Sequence, residues 1–191
     1  MNIDKKLLFA TPMWTVNLPG ARMLNRKLMI DTADYQHQGS WTLFDLPGEG
    51  IAEFKEIVHK IGLDAAIEHG IEFNDMQVHA RQHVRKPNES DPPHQHPYAE
   101  GMVGVYYLKV AENCGDILIH DARGSVTDIW QDPYVKQSIE PNRKKYSGLI
   151  THRIKPEEGK FIIIPSYAIH SVEANHSNEL RISLIVEYRF S

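Results

Sequence analysis

Leu180-Arg181-Ile182-Ser183-Leu184-Ile185-Val186-Glu187-Tyr188-Arg189-Phe190 alternates with a period of two. Successive side chains of a strand leave opposite faces. Leu180, Ile182, Leu184, Val186, Tyr188 and Phe190 therefore share one face, and Arg181, Ser183, Ile185, Glu187 and Arg189 the other. The first face is apolar throughout and needs a cover. The second carries an arginine and a serine into the interior, and a buried guanidinium is costly unless an anion meets it. One strand with these two faces implies a sheet with helices on one side and a second sheet on the other.

The rest of the chain supplies those layers. Residues 49–69 place Ile51, Phe54, Ile57, Val58 and Ile61 at helical spacing, with Gly62 expected to end or kink the helix. Residues 21–33 read as a shorter helix with Leu24, Leu28 and Met29 on one stripe, and 7–16 as a short strand broken by Pro12. From about residue 73 the texture changes to strands, over 76–84, 101–110, 116–121, 149–154 and 159–165. Residues 124–147, with Pro133 and Pro141, form a long connection that is a candidate lid. The expected architecture is mainly β with N-terminal helices: a double-stranded β-helix, the jelly roll shared with cupins. Residues 1–191 read as one domain, with about 1–72 as strand and helix support and about 73–191 as the β-helix core.

Composition narrows the function. The net charge is −4 with histidine neutral, and no basic stretch suggests nucleic acid or a membrane surface. Cys114 is the one cysteine, which excludes an internal disulfide and a cysteine-based zinc site. No run approaches the roughly 20 apolar residues of a membrane span, and the expected compartment is the cytoplasm. A homodimer is the assembly expected from base rates.

Eleven histidines are many for 191 residues, and three of them form a pattern. His94-Gln95-His96 in an extended segment puts two imidazoles on one face, and the flanking Pro92, Pro93 and Pro97 stiffen it. His170, arriving from a distant strand, closes a three-point site for Fe, Zn, Cu or Ni. Arg181 lies about one strand and turn further on, where it can clamp an anionic co-substrate with two parallel hydrogen bonds. Ser183, on the same face, adds a hydroxyl. His79 and His83 can line the same pocket, and His120 can hydrogen-bond near it.

These residues resemble the iron(II)/2-oxoglutarate-dependent oxygenase superfamily, and within it a small bacterial and phage-associated subgroup. The similarity runs from Leu8-Phe-Ala-Thr-Pro-Met-Trp14 through His94-Gln-His-Pro97, Gly104-Val-Tyr-Tyr-Leu108 and Gly115-Asp-Ile-Leu-Ile-His-Asp-Ala-Arg123 to Pro156–His170 and Arg181-Ile-Ser183. It implies His94 and His170 as iron ligands and Arg181 as the grip on the far carboxylate of 2-oxoglutarate. Ser183 and Tyr106 or Tyr107 would assist. It also implies hydroxylation of a small molecule or protein side chain, with decarboxylation of the co-substrate to succinate. Where the superfamily usually has a carboxylate ligand, this chain has His96, read as the third ligand.

Two alternatives remain open at this level. His94-x-His96-x-x-x-Glu100 is also similar to the first metal motif of cupins, which would make Glu100 a fourth ligand and dispense with 2-oxoglutarate. The chain would then be a cupin-type metal enzyme or a metal-binding module. Against that, Asn88, Tyr107 and Tyr167 stand where the cupin motifs have glycines. The other alternative is a β-sandwich binding protein whose histidines merely pick up metal.

Overall fold

The computed structural model describes residues 10–35, 40–97, 101–121 and 151–191. Along the chain run β1 (Trp14–Asn17), α1 (Ala21–Asp31), a single 3-10 turn (Leu43–Asp45), α2 (Glu49–His69), β2 (Met76–Arg85), β3 (Asp91–His94), β4 (Met102–Lys109), β5 (Ile117–His120), β6 (Thr151–Ile154), β7 (Lys160–Pro165), β8 (His170–Val172) and β9 (Arg181–Phe190). The strands make two antiparallel sheets, ordered β1-β7-β4-β9-β2 and β3-β8-β5-β6. This is the double-stranded β-helix that the alternation of β9 implies.

β9 sits inside the larger sheet, and its two faces feed two cores. Ile182, Leu184, Val186 and Tyr188 join Leu24, Leu28, Phe54 and Val58 of the helices, together with Tyr106 and Phe161. Ile185, from the opposite face, joins Val103, Val105, Tyr107, Ile162 and Ile164, against Ile117 and Ile154 of the smaller sheet. Each large apolar side chain removed from water contributes about 1.5–3 kcal/mol, so the helices are the cover the apolar face requires.

Polar contacts fix the helices in place. Tyr188, fully buried, donates its hydroxyl to the Val58 carbonyl at 2.8 Å. Asn25 Nδ2 donates to the Leu108 carbonyl at 3.0 Å, and the Tyr106 hydroxyl donates to Asn25 Oδ1. The start of α2 has no capping side chain of its own. Instead Asp31, at the end of α1, accepts from the backbone N–H of Gly50 (2.8 Å) and Ile51 (3.1 Å). A carboxylate there satisfies orphan donors and meets the positive end of the helix dipole.

Two expectations need correction. Gly62 neither ends nor kinks α2, which runs unbroken to His69 and stops at Gly70, in the left-handed region with φ 76°. Gly62 is there for space: a Cβ on it would lie 2.1 Å from Tyr188 Cε1. Met29 does not belong to the buried stripe of α1; Asn25 is buried beside Leu24 and Leu28, while Met29 is exposed. The long connection at 124–147 lies outside the described residues, as do Tyr98 and Glu100.

Candidate functional site

β3 is an edge strand of the smaller sheet, and its Pro92 and Pro93 cost it little because an edge position tolerates missing donors. It pairs with β8 so that His94 and His170 are directly opposite, their rings 4.3 Å apart between centroids. His96 follows two residues beyond His94, anchored by its backbone N–H to the Ser166 carbonyl at 2.9 Å. One ring nitrogen from each of the three histidines lies within 4.8 Å of the others.

The tautomers follow from the partners. His94 Nδ1–H donates to the Pro92 carbonyl at 2.8 Å, and His170 Nδ1–H to the Ala168 carbonyl at 2.9 Å. A carbonyl only accepts, so the proton is on Nδ1 and Nε2 keeps its lone pair for a ligand. Burial pushes His170 down to about 4, keeping it neutral and ready to bind a cation across the physiological range. His96 Nδ1–H points to Glu187 Oε1 at 3.4 Å. The other oxygen of Glu187 accepts from Arg189 Nε (3.1 Å) and Nη2 (2.6 Å). Burial alone would raise the Glu187 pKa, but these hydrogen bonds win and hold it below the ordinary value.

The histidines open onto a cavity between the two sheets, lined also by Arg81, His83, Tyr107, Arg181 and Ser183. Arg181 is 2 % exposed. Its Nη1 donates to the carbonyls of Cys114 and Gly115, each at 3.3 Å, and its Nη2 lies 4.0 Å from Asp91 Oδ2. Asp91 itself is engaged mainly by Arg85. Among the described residues, the Nε–H of Arg181 is buried without a partner. A buried guanidinium with one donor unspent suits a carboxylate guest. Ser183 pairs across the sheet with Tyr107 on one side and His83 on the other, so these three form a row beside Arg181. Burial raises the Tyr107 phenol above its ordinary range, so it stays protonated and able to donate.

Several sequence-level candidates are thus brought together: His94, His96, His170, Arg181, Ser183, Tyr107 and His83. Tyr106 is not among them. Its side chain is on the opposite face of β4, in the helix-facing core, with its hydroxyl on Asn25, so the expectation that it assists is corrected. Three residues escaped the sequence reading. Arg81 shares the phase of His83 in β2, which was a usable signal. Glu187 shares the phase of Arg181, but nothing in the sequence links it to His96. Trp41 carried no signal at all; it lies under the Arg81 guanidinium at 5.0 Å and edge-on to His96 at 6.5 Å. Arg81 Nε is also buried without a partner among the described residues.

Residues 82–187, more than half of the chain, match the profile of a family described as "Putative 2OG-Fe(II) oxygenase". No curated protein sequence matches the chain significantly. Among solved structures, a prolyl-4-hydroxylase from Pseudomonas putida superposes with a TM-score of 0.62 at 12% identity, covering 94% of this chain and 88% of that one. SnoK, an alpha-ketoglutarate-dependent carbocyclase from nogalamycin biosynthesis, gives 0.62 at 11% identity, covering 93% and 79%. AviO1 from Streptomyces viridochromogenes gives 0.54 at 10% identity, covering 88% and 82%. At such identities the likeness speaks for the fold. The family match goes further: this chain belongs to the 2-oxoglutarate- and iron(II)-dependent oxygenases. It is accordingly an oxidoreductase whose cofactors are Fe(II) and 2-oxoglutarate. No helix among the described residues is long and apolar enough to cross a membrane.

Proposed function

We propose that His94, His96 and His170 hold the iron, that Arg181 grips the far carboxylate of 2-oxoglutarate with help from Ser183 and Tyr107, and that the chain hydroxylates an anionic or strongly polar substrate. One observation carries this reading: three imidazole nitrogens converge in a cavity that also holds a buried arginine with an unspent donor. When bound, the iron and its co-substrate supply the oxidising power. Dioxygen, 2-oxoglutarate and a substrate C–H give succinate, carbon dioxide and the hydroxylated product, each atom of dioxygen ending in one of the two organic products.

The chain's own residues do the holding. The Nδ1 hydrogen bonds of His94 and His170 fix their rings with Nε2 available. The Cys114 and Gly115 carbonyls hold Arg181 by one nitrogen and leave its Nε–H for the co-substrate. Val103, Val105, Ile117 and Ile185 keep water from the cavity and strengthen every charge interaction in it. Arg81, stacked on Trp41 and lining the same cavity, supports a substrate bearing a carboxylate or phosphate, whether small molecule or peptide side chain.

Anaerobic visible spectroscopy with Fe(II) tests the reading. Adding 2-oxoglutarate to the iron-loaded protein should produce a metal-to-ligand charge-transfer band. A charged hydrogen bond contributes about 1.5–3 kcal/mol, so Arg181→Ala should need roughly tenfold to a hundredfold more 2-oxoglutarate to reach half the band. Iron binding without a band would overturn the proposal in favour of cupin-type chemistry.

A further inference from the structure

The metal centre raises a question of charge. Three neutral imidazoles leave an iron(II) ion with its full charge, one unit more positive than a site in which a carboxylate is a ligand. The structure puts a carboxylate one atom layer further out. Glu187 is 2 % exposed in the sheet interior, where an ionised carboxylate needs strong partners to persist. It has two among the described residues: Arg189, which takes Oε2 by two nitrogens, and His96, whose Nδ1–H faces Oε1. Arg189 is about a third exposed, so its charge is screened by water, while the carboxylate it orients is not. The arrangement is ordered from surface to centre: arginine, carboxylate, imidazole, metal position.

We propose that Glu187 is the positioning carboxylate of the iron site, holding the His96 ring and donating electron density through it in place of the carboxylate that is absent from the ligand set. The inference rests on His96 being a ligand, as proposed above. A hydrogen-bonded carboxylate makes an imidazole a more basic ligand and fixes which nitrogen meets the metal. Position 187 can serve because β9 turns it to the same face as Arg181 and Ser183. One strand thus carries the co-substrate clamp at one end and the support for His96 at the other. Arg189, at the end of that strand, holds Oε2 of Glu187 by two nitrogens and is not among the residues that line the cavity.

The test is Fe(II) titration of wild type, Glu187→Gln, His96→Asp and the double variant His96→Asp/Glu187→Gln, all anaerobic. Each is followed by 2-oxoglutarate addition and recording of the charge-transfer band. Loss of such an outer partner commonly costs 10–100-fold in metal affinity. Glu187→Gln should therefore bind iron roughly tenfold to a hundredfold more weakly, and its band should move to shorter wavelength, since a less electron-rich iron gives up charge less readily. Glu187→Asp should restore part of both. In the His96→Asp background, where the ligand is itself a carboxylate, removing Glu187 should change neither affinity nor band. A Glu187→Gln protein that melts earlier but binds iron and absorbs as wild type does would overturn the proposal and leave Glu187 a structural residue. Equal losses in both backgrounds would also overturn it. If wild type bound iron but gave no band, the co-substrate reading would fail while the affinity comparison still decided the role of Glu187; if wild type bound no iron, both would fall.

Discussion

Tyr106 and Tyr107 are neighbours in the chain and belong to different halves of the molecule. The pleat of β4 sends Tyr106 toward α1 and Tyr107 into the cavity. From sequence alone both were candidates to assist the co-substrate, because neighbouring tyrosines of a buried strand carry no mark of which face is which. The distinction predicts opposite phenotypes. Tyr106→Phe leaves the buried Asn25 carbonyl oxygen without its donor and should lower stability by about 1–3 kcal/mol in urea unfolding, with the 2-oxoglutarate titration unchanged. Tyr107→Phe should leave stability nearly intact and raise the 2-oxoglutarate needed to form the charge-transfer band. If both variants altered stability alone, Tyr107 would have no part in co-substrate binding. The histidines were more legible, since an i, i+2 pair and a distant third partner are readable without coordinates. Trp41 was not, because an aromatic in a loop gains its meaning only from what folds over it.

Among the elements, β9 was the most legible. Its two faces are written in strict alternation, and both cores follow from them. β3 and β8 were the least legible as strands, with four and three residues and two prolines in the former; pairing rather than pattern makes them. α2 was legible in length but not in the reason for its glycine. Glycine inside a helix ordinarily costs up to about 1 kcal/mol relative to alanine, which invites the reading of a break. Here the helix tolerates it because the Tyr188 ring occupies the missing Cβ position. Gly62→Ala should therefore destabilise the protein by about 1–3 kcal/mol in urea unfolding, although alanine is the better helix former. A gain in stability would mean that α2 can slide away from β9 at no cost.

For the whole molecule, charge sits where the two sheets meet. Burial pushes both His83 and His170 down to about 4; for His83 the guanidiniums of Arg85, Arg81 and Arg181 add to that effect against the pull of Asp91. Each imidazole takes a proton near pH 6.5 when the chain is unfolded and only near 4 when it is folded. The unfolded chain thus binds more protons in that interval, and stability falls as pH falls. The metal-free protein should be at full strength from these groups above pH 6.5 and weaken toward pH 4, each histidine contributing a slope of up to about 1.4 kcal/mol per pH unit. Burial opposes the ionised forms of Asp91 and Glu187, yet their hydrogen bonds and nearby positive charges hold both below their ordinary values, which adds a loss of the same sign at lower pH. Urea unfolding at intervals from pH 7 to pH 4.5 measures the slope, and His83→Gln should remove about half of the histidine contribution. A flat profile would mean that these imidazoles are hydrated.

The pairing of His94 with His170 has a mechanical consequence as well. β3 lies at the rim of its sheet, and of its consecutive Pro92 and Pro93 at most one stands where a backbone donor would face β8, because neighbouring residues of a strand turn their N–H groups to opposite sides. An ion held by His94, His96 and His170, as proposed above, would act as a rivet between this edge strand and β8. Loading the metal would then stiffen that edge of the cavity as well as supply its chemistry, so shape and reactivity there would be set by the same atom.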